Sequence, residues 1–169
     1  MTTNILLVLL AITPMTLLAA QSEDTSEISI QIEQGCVLDN GSGATSFGVI
    51  SFGEYSSLAY GAQATSNEGS GSIGFRCSPN LSYRIELGNG LNATDSSNRK
   101  LLNSSTGELI PYQLYQDAGR SQIWDDANAV SGNASGLFEW LPIFASISPQ
   151  PVTPSAGIYN DNIEVVLIF

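Results

Sequence analysis

The chain has 169 residues, 43% of them hydrophobic, with 16 acidic against 5 basic side chains, no histidine and a formal net charge of -11. That length bounds one domain, and that apolar content suffices for a packed core, which excludes a disordered tail. A surface this acidic repels phosphate backbones and anionic headgroups, so a nucleic-acid partner is not expected.

The first twenty residues read as a targeting segment rather than part of the domain. The apolar run "ILLVLLAI" (Ile5–Ile12) is followed by "TPMTLLAA", with small residues at Ala19 and Ala20 before polar Gln21. This is the pattern of a cleavable signal peptide over 1–20, although its leading "MTTN" lacks the usual Lys or Arg. A membrane anchor is the competing reading. Thr13, Pro14 and Thr16 interrupt the run, which is short against the ~20 apolar residues of a span. No stable membrane insertion is expected after cleavage. Export suits the two cysteines, Cys36 and Cys77, which form an even pair in an oxidising compartment and read as a disulfide, with two buried thiols as the alternative.

Next comes "EISIQIEQGC" (Glu27–Cys36), where Ile28, Ile30 and Ile32 alternate with Ser29, Gln31 and Glu33. Period-2 alternation of β-branched residues predicts a strand. Polar "QSEDTS" precedes it and loop-like "DNGSGATS" follows soon after Cys36, so its partner is either its own sheet or another molecule's. Further strand signals follow in "SFGVISFG" (Ser46–Gly53), "GSIGFRC" (Gly71–Cys77) and "LSYRIELG" (Leu81–Gly88). The series continues with "LIPYQLYQ" (Leu109–Gln116), where Pro111 argues for an edge or bulge, then "GLFEWLPIFASI" (Gly136–Ile147) and "GIYNDNIEVVLIF". In the last segment Ile163, Val165, Leu167 and Phe169 share a face. Short strands separated by turn residues predict an all-β antiparallel sandwich without a second domain. The stretches Asn89–Lys100 and Ser148–Ala156 are its long loops. The final strand ends at Phe169, so a further strand needed to close the core is expected from elsewhere.

The sequence offers little for catalysis. Without histidine, Ser-His-Asp and Cys-His systems and most zinc sites are out of reach, and two cysteines alone make a poor metal site. Beyond Cys36, Asp125-Asp126 is the only adjacent carboxylate pair, in a loop-like context that suits neither a glycosidase nor a calcium site. "NEGSGSIG" (Asn67–Gly74) lacks the Lys-Ser/Thr of a phosphate loop and reads as a turn. Trp124, Trp140, Tyr112, Tyr115 and Tyr159 would line a sugar groove if they converged, but in a sandwich they are more often core residues. Neither an enzyme nor a cofactor is expected.

The alternating segment ending in Cys36 is followed by "FGVISFGEY" (Phe47–Tyr55), "GSIGFRCSPNLSYRIELGNG" (Gly71–Gly90), "LIPYQLYQDAGRSQIWDD" (Leu109–Asp126) and the closing "GIYNDNIEVVLIF". In this order and spacing they resemble the spore coat protein U domain, as found in pilin subunits of archaic (Csu-type) chaperone–usher pili. The resemblance implies an incomplete immunoglobulin-like sandwich completed by donor-strand exchange. It divides the chain into a signal peptide (1–20), an N-terminal donor-strand extension (21–35) and the sandwich domain (36–169). It further implies a periplasmic chaperone, an outer-membrane usher and neighbouring pilin subunits as partners. The localisation would be export through the periplasm to a cell-surface pilus, and the function adhesion and biofilm formation. Ile28, Ile30 and Ile32 would be the donor residues. The other readings are an ordinary first strand of a complete sandwich, a tip adhesin, and a self-contained secreted carbohydrate-binding or coat protein.

Overall fold

The structure, a computed structural model, describes residues 24–43 and 46–169. The expected signal peptide lies outside the described residues, as do positions 21–23 of the extension. Among the described residues no helix is long and apolar enough to cross a membrane. The chain divides into two units, Met1–Ile32 and Glu33–Phe169. In the first, residues 24–32 carry no strand or helix.

The second unit is built from twelve short strands. They are β1 (Cys36–Leu38), β2 (Ala62–Thr65), β3 (Ile73–Cys77), β4 (Ser82–Leu87), β5 (Lys100–Asn103), β6 (Leu109–Pro111), β7 (Gln113–Tyr115), β8 (Val130–Asn133), β9 (Glu139–Leu141), β10 (Phe144–Ile147), β11 (Tyr159–Asn160) and β12 (Val165–Ile168), with one 3-10 turn at Ser96–Asn98. They pair, always antiparallel, into three-stranded ladders in the orders β1-β3-β9, β2-β10-β7, β11-β5-β6 and β12-β4-β8.

Alternation decides what each strand buries. On β3, Ile73, Phe75 and Cys77 point into the core, and on β4 Ile85 and Leu87 do the same, as their spacing predicts. Ile110, Leu114, Ala145 and Ile147 add the inward positions of β6, β7 and β10, so all four ladders meet in one core. Phe75 packs tilted against Tyr83 with ring centroids 4.7 Å apart. The expected all-β antiparallel sandwich is therefore present. Cys36 and Cys77 sit directly opposite each other in the β1–β3 ladder, Cα atoms 3.9 Å apart, and form a disulfide.

Several predicted strands break where the chain changes ladder. "LIPYQLYQ" becomes β6 and β7 in different ladders: the Tyr112 N–H to the Arg99 carbonyl continues the β5–β6 register by one residue, and from Gln113 the chain pairs with β10 instead. Pro111 lies on β6, which is an edge strand. "GLFEWLPIFASI" divides at Pro142 into β9 and β10, and the closing segment divides into β11 and β12 around Asp161. β2 and β8 carry only weak alternation and are not evident in the sequence. Phe169 is exposed, while Ile163, Val165 and Leu167 pack against the core.

Arg99 is fully buried and ties three segments together. Its guanidinium donates to the carbonyls of Leu87 (3.0 Å), Gly88 (2.7 and 2.9 Å) and Trp124 (2.8 Å), and to the Gln113 amide oxygen (2.7 Å). Its burial pushes its pKa down, opposed by the negative groups around it. Trp124 in turn gives its indole N–H to the Ile85 carbonyl on β4. Beside this knot the Tyr112 hydroxyl donates to Asp161 at 2.8 Å. Burial, reinforced by that hydrogen bond, raises the Tyr112 pKa far above its ordinary value.

Three outcomes follow for urea unfolding of the folded protein. Replacing both Cys36 and Cys77 by Ser removes a cross-link that closes a 41-residue separation and lowers stability by about 4 kcal/mol. Arg99→Met leaves buried carbonyls of Leu87, Gly88 and Trp124 without donors and costs at least about 3 kcal/mol. The raised Tyr112 pKa means that the native state favours the neutral phenol. Its contribution is complete below the unfolded value of about 10 and is lost as pH rises beyond it. Tyr112→Phe therefore flattens the alkaline fall in the urea midpoint, leaving the smaller part due to Tyr83, whose pKa is also raised.

Candidate functional site: an open apolar groove

Two stretches of the domain run without pairing, one with the composition of a strand and one loop-like. Between Ser46 and Leu58 no ladder forms, and between Gln150 and Ile158 none forms either. In the first stretch Gly48 and Gly53 adopt φ of 90° and 91°, left-handed values that interrupt a regular strand. The kink at Gly48 brings Phe47, Ile50 and Phe52 against the core and turns Val49 out, so strict alternation is not followed. Ile50 seats over Gly71, where a Cβ would lie only 2.5 Å from its Cγ1.

Both stretches line one cavity of about 1430 Å³. Its floor is made of core side chains, among them Ile73, Leu87, Ile110, Leu114, Ile143 and Ile147. Its walls are 46–58 on one side and 153–165 on the other, with Phe47, Ile50, Phe52, Ile163 and Val165 only half-buried. Protein interiors are close-packed, with few voids larger than a water molecule. An apolar trench of this size, bordered by backbone without ladder partners, is a sheet edge and a core with room for one more strand.

The walls are pinned mainly to the body, and the Leu58–Gln150 bond joins the two stretches at one end. On the first, the Phe47 carbonyl accepts from Gly71 N–H at 2.5 Å, and the Leu58 carbonyl accepts from Gly61 (2.9 Å) and Gln150 (2.8 Å). On the second, the Glu108 carboxylate accepts from Ser155 N–H (2.8 Å), from the Ser155 hydroxyl and from the Tyr159 hydroxyl (2.7 Å). These donors hold the Glu108 carboxyl below its usual range. Asp161 takes Leu91 N–H at 2.8 Å and the Asn92 amide at 3.1 Å besides the Tyr112 hydroxyl. Behind this wall Asn103 is 1% exposed. Its Oδ1 accepts from Ser105 N–H, which fixes the amide orientation, and its Nδ2 is without a partner.

The other candidate sites do not assemble. Asp125 is buried and takes the backbone and side-chain N–H of Asn128 and the Ser96 hydroxyl, while Asp126 is exposed and caps Ala127, so the two serve a turn. "NEGSGSIG" is a tight turn closed by reciprocal bonds between Asn67 and Ser70. Trp124 and Tyr112 belong to the core, whereas Trp140 packs edge-on to Phe138 away from the cavity lining. Among the described residues no cluster of three or more His, Cys, Asp or Glu has the arrangement of a metal site.

Ile28, Ile30 and Ile32 lie outside every ladder and are 96%, 85% and 84% exposed. Their period-2 spacing would place all three β-branched side chains on one face of a strand, and here all three are in solvent.

The fold has counterparts among solved structures. One is a chain of the crystal structure of the CsuC–CsuE chaperone–tip adhesion subunit pre-assembly complex from the archaic chaperone–usher Csu pili of Acinetobacter baumannii. It is 19% identical with a TM-score of 0.54, and the match covers 82% of the present chain and 40% of that one. The present chain thus spans less than half the length of that chain, and the likeness is one of fold, an immunoglobulin-like all-β sandwich. Comparison with the curated proteins finds no match. A family model for the Spore Coat Protein U domain matches residues 23–166, nearly the whole described chain, and the protein belongs to the spore coat protein U domain family.

Proposed function

We propose that the protein is a structural subunit of a chaperone–usher pilus that polymerises by donor-strand complementation. The observation that carries this reading is the pairing of two incomplete halves in one chain: a groove short of a strand, and an exposed apolar triad short of a sheet. In this reading residues 1–20 are the export signal, 21–35 the donor extension and 36–169 the acceptor domain. A periplasmic chaperone occupies the groove first, and at an outer-membrane usher the extension of a neighbouring subunit replaces it. The protein then resides in a cell-surface pilus and supports adhesion and biofilm formation through the fibre. Its role is structural rather than catalytic, and the disulfide cross-links the acceptor domain.

The energetics favour insertion into a preformed groove over a free strand. Burying Ile28, Ile30 and Ile32 contributes on the order of 5–9 kcal/mol, and ladder hydrogen bonds add about 1 kcal/mol each. Ordering the segment costs roughly 1–2 kcal/mol per residue, so the terms nearly cancel unless a groove already stands open. Seven residues of strand, at about 3.3 Å each, run roughly 23 Å.

Replacing Ile30 by Asp places an unpaired charge in the groove of the next subunit at a cost of several kcal/mol. Fibres on the cell surface are then lost while co-purification with the chaperone is retained, since the chaperone meets the groove and not the extension. Ser29→Asp changes neither readout. Normal fibres from Ile30→Asp, or equal loss of chaperone and fibres, would show that the segment belongs to its own domain. Expression in the periplasm without a chaperone leads to aggregation or degradation of the subunit. A soluble, stable monomer lacking residues 21–35 would contradict the open-groove reading.

A further inference from the structure

The groove carries charge of one sign only. Its charged lining residues are Glu54, Asp161 and Glu164; the two glutamates are exposed and Asp161 is half-buried. None of the 5 Lys and Arg side chains lines it. Arg84 is bonded to Glu86, Arg120 reaches the Ala145 and Ala64 carbonyls, Arg76 lies over Phe138, and Lys100 borders a separate hollow with Leu91 and Asn98. Arg99, buried behind the wall, offsets part of the Asp161 charge and has no surface in the groove. Glu54 and Glu164 have no such counter-charge among the residues that line the groove.

The chain's own extension is acidic as well. Asp24, Glu27 and Glu33 flank the triad, and residues 21–35 contain no Lys or Arg. When the isoleucines point into a groove, positions 27, 29, 31 and 33 point out. Glu27 and Glu33 then stand at the two ends of the triad, level with the rim. Paired strands lie about 4.8 Å apart, well inside the Debye length of about 8 Å at physiological salt. Like charges at this range oppose pairing and discriminate against a partner whose apolar pattern fits.

Building on strand insertion as the function of the groove, we propose that the groove selects a donor strand with the same apolar alternation but neutral or basic flanks, carried by a different subunit. Insertion between copies of this chain is held back by like charge. The apolar floor supplies affinity to either donor, and the acidic rim decides between them.

The test uses the mature full-length protein in complex with its chaperone, which an inserting strand displaces, and three labelled peptides spanning residues 24–35. One is native, one carries Asp24→Lys, Glu27→Lys and Glu33→Lys, and one carries Ile30→Asp. Insertion rates are followed at about 20 mM and about 0.5 M NaCl, where the Debye length falls from roughly 20 Å to roughly 4 Å. The lysine peptide inserts about tenfold faster than the native one at low salt, within the range of electrostatic steering, and the gap closes at high salt. Glu54→Gln with Glu164→Gln in the protein, both at exposed positions, narrows the gap at low salt without changing the rate at high salt. Equal rates at low salt, a gap indifferent to salt, or a gap indifferent to the rim variant would overturn the charge selection. The Ile30→Asp peptide separates the two levels. If it inserts as well as the native peptide, or if no peptide inserts, strand insertion itself fails and the charge selection falls with it. If it alone fails to insert while the native and lysine peptides match, only the charge selection is wrong.

Discussion

Burying an apolar side chain requires cover on every side of it, and Phe47, Ile50, Phe52, Ile163 and Val165, which wall the groove, are only half-buried. Ile73, Leu87 and Leu114 on the floor are buried, and above them stands a groove of about 1430 Å³. The lining has two ways to lose that exposure: to collapse, or to accept something from outside. Collapse is opposed by the way each wall is fastened. One wall is held by Phe47 to Gly71 and by Leu58 to Gly61, the other by Glu108 to Ser155 and Tyr159 and by Asp161 to Tyr112 and Leu91. Bringing the walls together means giving up these bonds, several of which involve a carboxylate and are the stronger for it.

The polar knot at Arg99 serves the same end. A buried guanidinium hydrogen-bonded only to neutral oxygens is costly to place, and its value lies in geometry. Its planar fork holds the end of β4, the start of β7 and the Trp124 loop at fixed separations, so the floor of the groove is rigid before anything binds. A preformed site spares an incoming strand the cost of ordering its receptor and leaves only the cost of ordering itself. Asn103, with an orphaned amide nitrogen behind Gly157, lies directly behind a groove wall.

Much of this was legible in the sequence, for reasons that differ by segment. β3 and β4 announce themselves because both alternate strictly and both are central strands, where one face must be apolar. The cysteine pair was legible from number and expected compartment, and the ladder places the two residues opposite one another. The triad at Ile28, Ile30 and Ile32 reads as a strand, and it is here that pattern and assignment part company. Period-2 alternation reports which face a segment can bury, whereas a strand exists only where a partner supplies hydrogen bonds. Ser46–Gly53 fails for the same reason on the acceptor side, with Gly48 and Gly53 adding kinks that composition alone does not locate. The breaks at Tyr112, Pro142 and Asp161 were not visible, because a chain that passes from one ladder to another keeps its alternation while changing its neighbour. Arg99 was invisible as well: a single basic residue in a polar loop gives no hint that it will be fully buried.

The same constraint reaches the other end of the molecule. Gly35 is held to Ser78 in both directions, by its N–H to the Ser78 hydroxyl at 3.1 Å and by its carbonyl from Ser78 N–H at 2.9 Å. Its neighbour Cys36 is cross-linked to Cys77. Glu33 and Gln34 are thus the only residues between the triad and a fixed point of the domain, a reach of about 10 Å from Ile32 to Gly35. In the proposed fibre, tension on the inserted extension therefore arrives at Gly35 with almost no slack. It passes through the disulfide into β3, the central strand of its ladder, whose Ile73 and Phe75 are completely buried. A load applied at an edge strand alone would meet only the three residues of β1. Cross-linked to β3, it has to displace the core itself, which gives the covalent bond between Cys36 and Cys77 a mechanical purpose beyond its share of equilibrium stability.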